Sequence, residues 1–414
     1  MATDQKVPRA QAPRITFAVW STVISVVLVA ALLTVHYASG ASRCGSHAWL
    51  DWAFDSVAWT GITRPDMLTA QDVCYKVHEF TSSCLLLSGE VVPATPIPSS
   101  ISDQLWSGIF SLRELIHGST RTVLYERHWN DLRFAATWGL ILYALRGVLV
   151  AFVLEPLGWL LVERPTGELA ATEKGRRRLR KTVTRFAEQG WILLLYSTSF
   201  ALVCDVIRRQ PFWPNKSEYL WIDYPFTTMD AATKALYLWE ASNYLHQLIV
   251  VSVEEKRSDF TQMMVHHIVT LTLIFGSYAC CLHPVGIAVL FLLDPSDILL
   301  AAAKLIRYAG YRTLCDIAFG LFMISWIVMR HGIYSYVYYS CIVEVPKLIQ
   351  FTDKADFASG HVMTDACYWI FIGLLGVLQF ILLIWCSMIL GVAYRVLTKK
   401  GAEDSRSDDS LDEE

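Results

Sequence analysis

The residues best suited to chemistry lie between His266 and Tyr308. This stretch is apolar enough for a bilayer, yet it carries paired histidines, two aspartates, a lysine and a tyrosine. Ionisable groups are costly in such a setting and mark functional sites. At helical spacing His266, Thr270, Leu273 and Ser277 share one face, with His267 beside it and Tyr278 at its border. In the next segment Asp294, Asp297, Ala301, Lys304 and Tyr308 fall within about 60° of one another. Pro295 suits a helix start or break, with Asp294 as its cap. Histidine serves as base, acid or nucleophile near neutral pH. A carboxylate on its second ring nitrogen fixes the tautomer and supports the imidazolium. A His–Asp set beside hydroxyls therefore suits acyl transfer or proton abstraction. One such residue alone would read as polar glue between helices. Two histidines, two aspartates and a lysine on facing stripes point instead to a site: catalytic His266, His267, Asp294 and Asp297 around a cavity between the two helices.

Other polar residues extend the set. Glu240, Asn243, Tyr244 and Gln247 line one face of the preceding span. Arg330 lies deep in a later span, where it is expected to pair with Asp294 or Glu240 or to meet a substrate phosphate. No metal is expected. The 11 histidines include one adjacent pair and no set of HxxxH and HxxHH boxes, and the 10 cysteines contain no CxxC.

The elements that must position these residues are membrane helices. The chain has 414 residues, 54% of them hydrophobic, and its charges cluster between apolar runs of about 20 residues. An all-α, polytopic helical bundle is expected, with eight spans near 15–37, 134–162, 187–207, 233–252, 263–283, 285–306, 314–341 and 366–394. Lys and Arg concentrate before the first span, in 163–186, 253–262 and 307–313, and after the last. Eight spans put all five segments on one side, the cytosolic one, with both termini. The sequon Asn215-Lys216-Ser217 then faces the lumen, where it is a glycan acceptor. Cys44, Cys74 and Cys84 share that side, where disulfides are permitted. The organisation is therefore a cytosolic N-terminus (1–14), two N-terminal spans (15–163) with a luminal loop (38–133), a catalytic membrane domain (180–397) and a tail (398–414). The loop includes an aromatic stretch, Trp49–Trp59, and a Pro-Ser-rich one, Val91–Ser100. The tail's EDSRSDDSLDEE is too acidic to pack, and an acid lies three residues after both Ser405 and Ser410.

The stretch from His266 resembles the longevity-assurance motif of ceramide synthases, within the membrane TLC-domain family. That pattern is about HHxxTxxLxxxSYxxNxxRxG, then HDxSDxxLExAKxxxY. His266, His267, Thr270, Leu273, Ser277, Tyr278, Gly286, Asp294, Ser296, Asp297, Leu300, Ala303, Lys304 and Tyr308 match it. Upstream, Phe186, Glu188, Trp191 and Tyr196 resemble KFxExxWxxxxY, and Phe212-Trp213 with Tyr224-Pro225 resemble a PWF…GYP loop. VEEKRSDF is similar to the lead-in DVKRKDF. The resemblance covers about 180–397. Cys281 stands where the pattern has Asn, Pro284 where it has Arg, Leu293 where it has His and Ala301 where it has Glu. The loop 163–186 is too short for the homeobox-like insert of many animal members.

The resemblance implies a six-helix TLC-type core and an endoplasmic reticulum enzyme, a sphingoid-base N-acyltransferase. Fatty acyl-CoA is a substrate, not a cofactor, and sphinganine or a related base accepts the acyl group to give (dihydro)ceramide. His266 is then the nucleophile of an acyl-imidazole, or one of the two histidines is a general base. His267 and Asp297 orient and move protons, and Asp294 supports them. Substrate-binding residues are expected at Trp191, Tyr196, Glu240, Asn243, Tyr244, Thr270, Ser277, Tyr278, Lys304, Tyr308 and Arg330. Lys304 is a candidate for the CoA phosphates. The loop near Ile342–Asp365 occupies the place that tunes acyl length in the family. Membrane lipid, a homodimer or a small single-span subunit are the implied partners, and nucleic acid is not. The alternative is a non-catalytic lipid-binding or regulatory membrane protein. Neither inverted repeats nor paired broken helices point to a transporter.

Overall fold

The computed structural model describes residues 13–38, 70–91, 124–166, 172–212, 216–254 and 258–398. Most of the loop 38–133, Asn215, the acidic tail with Ser405 and Ser410, and part of the lead-in 253–262 lie outside the described residues.

Every expected span is a helix. These are α1 (Pro13–Ala38), α3 (Asn130–Leu161), α4 (Glu173–Ile207), α5 (Ala231–Val253), α6 (Phe260–Ala279), α7 (His283–Tyr308), α8 (Arg312–Leu348) and α9 (Asp365–Leu397), with a shorter α2 (Ala70–Leu85) after α1. Of these, α3, α4, α7, α8 and α9 are long and apolar enough to cross a membrane. The polar residues of α5 and α6 lower their hydropathy, and these two helices are packed among the others. Large apolar side chains are exposed along α3, α8 and α9, among them Phe152, Ile317, Ile324, Ile370 and Phe380. An apolar exterior around a core that holds buried His, Asp and Glu is the distribution a bilayer favours, and it marks a multi-pass membrane protein.

Local signals set the helix ends. Thr172 caps α4 by accepting from Gly175 N at 3.1 Å, and Asp230 caps α5 by accepting from Thr233 N at 3.0 Å. α6 closes with Leu282 N donating to Ser277 O (2.8 Å) and Cys281 N to Tyr278 O (3.4 Å), with Cys281 at φ 56°. Asparagine tolerates that left-handed conformation better than cysteine, which accounts for the Asn of the family pattern there. α7 ends in the same way at Gly310, φ 88°. Contrary to the expected start or break, α7 runs unbroken through Pro295. Proline removes the N–H that would have met the carbonyl four residues back. The helix retains its course because neighbouring helices enclose it.

Helices alternate in direction. α7 packs mainly along α4 and α8, α5 along α3 and α6, and α6 along α9. At one end, where α6 begins, Glu163 N donates to Tyr308 O at 2.9 Å and Arg146 pairs with Glu254. At the far end, β1 (Glu90–Val91), β2 (Leu124–Glu126) and β3 (Thr228–Asp230) form a small antiparallel sheet in the order β1-β2-β3. A wholly buried ion pair sits beside it, Lys234 Nζ to Asp131 Oδ2 at 3.0 Å. Lys234 also donates to the carbonyls of Ser88 (2.5 Å) and Glu126 (2.7 Å). Asp131 accepts from Ser88 Oγ, His128 N and Tyr278 Oη at 2.7–2.8 Å. This knot ties α3, α5, α6 and the sheet together.

Candidate active site

The adjacent histidines lie one to two turns inside α6, next to Tyr244 of α5 and Trp385 of α9. The His266 ring is 5.5 Å from that of His267 and meets Trp385 edge-on at 5.2 Å. Tyr244 is 5.7 Å from His267 and 6.3 Å from His266. His267 is buried and His266 half-buried. No hydrogen-bond partner meets either ring nitrogen of His267, or Nδ1 of His266.

The carboxylates arrive from α7. Asp294 is buried, with Oδ2 unpartnered, and lies within electrostatic reach of Glu240, Asp297 and Arg330. Asp297 is held by Arg330, whose Nη2 donates to Asp297 Oδ2 at 2.6 Å and to Leu293 O at 2.5 Å. The guanidinium lies 4.2 Å from the centroid of the Trp326 ring. Arg330 thus pairs with Asp297, not with Asp294 or Glu240. The expected carboxylate–imidazole hydrogen bond is absent among the described residues. Arg330, on the π-helical stretch Trp326–Ile333 of α8, takes Asp297 instead. Beside it His331 accepts from Trp326 Nε1 at 3.2 Å, and the Gln379 amide meets its Nδ1 at 3.0 Å.

Behind the histidines a polar chain crosses from α4 to α5. Tyr196 Oη donates to Gln247 Oε1 (3.0 Å), and Gln247 Nε2 to Asn243 Oδ1 (2.8 Å). Asn243 Nδ2 then reaches Ser199 Oγ (3.4 Å) and Glu240 Oε2 (3.5 Å). The face of Glu240, Asn243, Tyr244 and Gln247 is therefore assembled, with Glu240 Oε1 left over.

Two cavities flank α6. The larger, about 140 Å³, lies where α5 ends and α6 begins, and is lined by His267, Trp191, Tyr196, His246, Gln247, Arg146 and Glu254 among others. It sits among α3, α4, α5 and α6, not between the polar stripes of α6 and α7, because α7 packs along α4 instead. The smaller, about 40 Å³, is almost wholly apolar and runs past Thr270 and Ser277 toward Phe371. Of the expected binding residues, Trp191 and Tyr196 line the first and Thr270 and Ser277 the second. Tyr278 belongs to the far-end knot. Lys304 and Tyr308 lie at the end of α7, line neither cavity, and Tyr308 packs on Val162, Val183 and Phe186. His246 and Trp385 were not anticipated. An ionisable residue inside a span is the signal that singles out His246; nothing local singles out Trp385.

The arrangement offers an imidazole pair free to accept or attack, carboxylates on the neighbouring helix α7, one polar-mouthed cavity and one apolar cleft. The TLC domain family profile matches residues 185–391, half of the chain. The sphingosine N-acyltransferase lag1 of Schizosaccharomyces pombe is 34% identical over 292 residues, 70% of this chain and 70% of that protein. The sphingosine N-acyltransferase-like protein ALT7 of Alternaria alternata is 32% identical over 312 residues, 69% of this chain and 68% of its own. Ceramide synthase LOH1 of Arabidopsis thaliana is 31% identical over 302 residues, 69% of this chain and 93% of its own. The matched region contains the buried His–Asp site and the helices that build it, and the chain belongs to the TLC-domain family of membrane proteins, in the group of the ceramide synthases and sphingosine N-acyltransferases.

Proposed function

We propose that this acyltransferase moves a fatty acyl group from acyl-CoA to the amine of sphinganine or a related sphingoid base, forming (dihydro)ceramide in the endoplasmic reticulum membrane with both termini cytosolic. The observation that carries this reading is the unpartnered imidazole pair, with His267 in the wall of a cavity that reaches the bundle end and an apolar cleft further along α6. Acyl transfer needs a nucleophile or base that is not already committed, and a dry place for the chain.

In the reading we favour, a ring nitrogen of His266 attacks the thioester carbonyl, the C–S bond breaks, and the thiolate leaves with the imidazole proton. The amine then attacks the acyl carbon, the C–N bond to imidazole breaks, and the amine proton passes by way of His267 to the departing His266 nitrogen, which restores two neutral imidazoles. Asp294 and Asp297 stand on the neighbouring helix α7, Asp297 held by Arg330, and no hydrogen bond joins either of them to the histidine pair among the described residues. The apolar cleft past Thr270 suits the alkyl portion of the donor.

The test is acyl transfer by the purified full chain in detergent, with sphinganine and a series of acyl-CoAs. Wild type should form amide, and His266→Ala should lose at least about a hundredfold in rate. Mass spectrometry of protein treated with acyl-CoA alone should find the acyl mass on His266. No amide with any acyl-CoA, from protein that remains folded, would overturn the proposal and favour a lipid-binding role.

A further inference from the structure

The end of the bundle away from the histidines holds a pair of thiols that the transfer reading does not use. Cys280 closes α6, and Cys367 lies in the first turn of α9. Their sulfurs are 3.6 Å apart, although the two residues stand 87 positions apart in the chain. Cys281 faces elsewhere: its sulfur packs on Gly360, where an added Cβ would lie 3.2 Å from it. A thiol is a weak donor and a weak acceptor, and a small rotation about either Cα–Cβ bond brings the two sulfurs to bonding distance.

The surroundings hold the two helix ends in this register. Arg127 donates to Ala279 O, just before Cys280, and to Phe357 O at 3.1 Å, so one side chain ties the end of α6 to the loop before α9. Thr364 Oγ1 accepts from Cys367 N at 3.2 Å and fixes the start of α9. One turn inward, Phe371 of α9 lies on Gly276 of α6, where an added Cβ would come within 3.1 Å of its ring. The loop exposes Asp353, Lys354 and Asp356, which places the pair at the edge of the bilayer, next to water. Cys280 is 7% exposed and Cys367 half-buried, so the second is the one a reagent meets first.

We propose that Cys280 and Cys367 form a disulfide in the native protein, which locks the end of α6 to the start of α9. The inference rests on the orientation given above, which puts this end in the lumen, where disulfides form and persist. The oxidant is a disulfide, carried by a luminal thiol oxidoreductase or by glutathione. The Cys367 thiolate attacks it and releases one thiol; Cys280 then attacks the mixed disulfide and releases the second. One S–S bond forms and one breaks, and the two protons and two electrons lost by the cysteines end on the two thiols of the reduced carrier. The bond fixes the contact of Phe371 with Gly276, and Phe371 is a wall of the apolar cleft.

The test alkylates intact cells with N-ethylmaleimide before lysis, so that free thiols are recorded as they stood. The full chain is then digested without reduction and read by mass spectrometry. The expected result is a peptide pair joined through Cys280 and Cys367, separated by dithiothreitol and absent from Cys367→Ser. The thermal midpoint of the purified chain in detergent should fall by about 5 °C when wild type is reduced, and should not move in the double variant Cys280→Ser with Cys367→Ser. If the serine variants do not fold, the wild-type map and its response to reductant carry the test. Maleimide on both cysteines, or a link from either to another cysteine, overturns the inference. An epitope in 353–359 reports the side of the membrane independently. Free thiols with that loop in the lumen sink this proposal alone. Free thiols with the loop in the cytosol sink the orientation as well, and a linked pair there sinks the orientation alone.

Discussion

Arg330 decides the electrostatics of the site at the scale of single residues. It is buried, stacked on Trp326, and bonded to both Asp297 and a backbone carbonyl of α7. Lysine would bring a point charge without the planar stack, so Arg330→Lys is not conservative here. Arg330→Met leaves the Asp297 charge unmatched in a partly buried place and should cost roughly 2–4 kcal/mol, less than a fully enclosed pair would, because Asp297 is 29% exposed. Asp297→Asn on top of Arg330→Met should recover about 1 kcal/mol, measurable as the coupling in a double-mutant cycle of thermal unfolding. Strict additivity of the two variants would mean that the pair is not a working interaction. In activity, Asp297→Asn alone should slow transfer without abolishing it, since no hydrogen bond joins that carboxylate to a histidine.

Helix contacts carry the next layer. α7 approaches α5 at Gly286, where an added Cβ would lie 1.7 Å from Tyr237 Oη, itself donating to His283 O at 3.1 Å. Gly286→Ala must push α7 away from α5 and α6, and should cost about 1–3 kcal/mol and reduce activity with it. The far-end knot holds α3, α5 and α6 by a different force. Lys234→Met leaves Asp131 charged, buried and supplied only with neutral donors, which should cost about 3–5 kcal/mol. Lys234→Met with Asp131→Asn should be milder than Lys234→Met alone. Chemical denaturation of the detergent-solubilised protein reads both effects, and an unchanged midpoint in Lys234→Met would show the knot to be dispensable. Cys281 occupies the left-handed position that closes α6, so part of the stability of this helix end comes from the burial around it and not from local preference.

The whole molecule is a bundle whose polar content is inside. The alternation of helices brings the starts of α4 and α6 and the ends of α3, α5, α7 and α9 to the end that holds the larger cavity. Among the described residues the Lys/Arg-rich start of α4 and the turn between α7 and α8 fall at that same end, so it should face the cytosol, where acyl-CoA is found. Epitopes placed in 167–171 and at the C-terminus should both be reached by antibody in cells whose plasma membrane alone is permeabilised. An epitope in the loop after α8 should be reached only once internal membranes are opened. Labelling of the two sites from opposite sides would refute the orientation.

Sequence alone determined the helices and much of the site. Hydropathy summed over about 20 residues is a local property, and each apolar run became a helix near its expected bounds. Helical periodicity likewise placed His266 with Thr270 and grouped Glu240, Asn243, Tyr244 and Gln247 on one assembled face. What the pattern did not contain is which face meets which. The pairing of Asp297 with Arg330, the burial of Lys234 against Asp131, the position of the larger cavity, and the presence of His246 in it depend on how helices distant in sequence rotate and cross. Those angles come from the fit of side-chain ridges and from the pairing of buried charges such as Lys234 with Asp131, and both exist only once the bundle has closed.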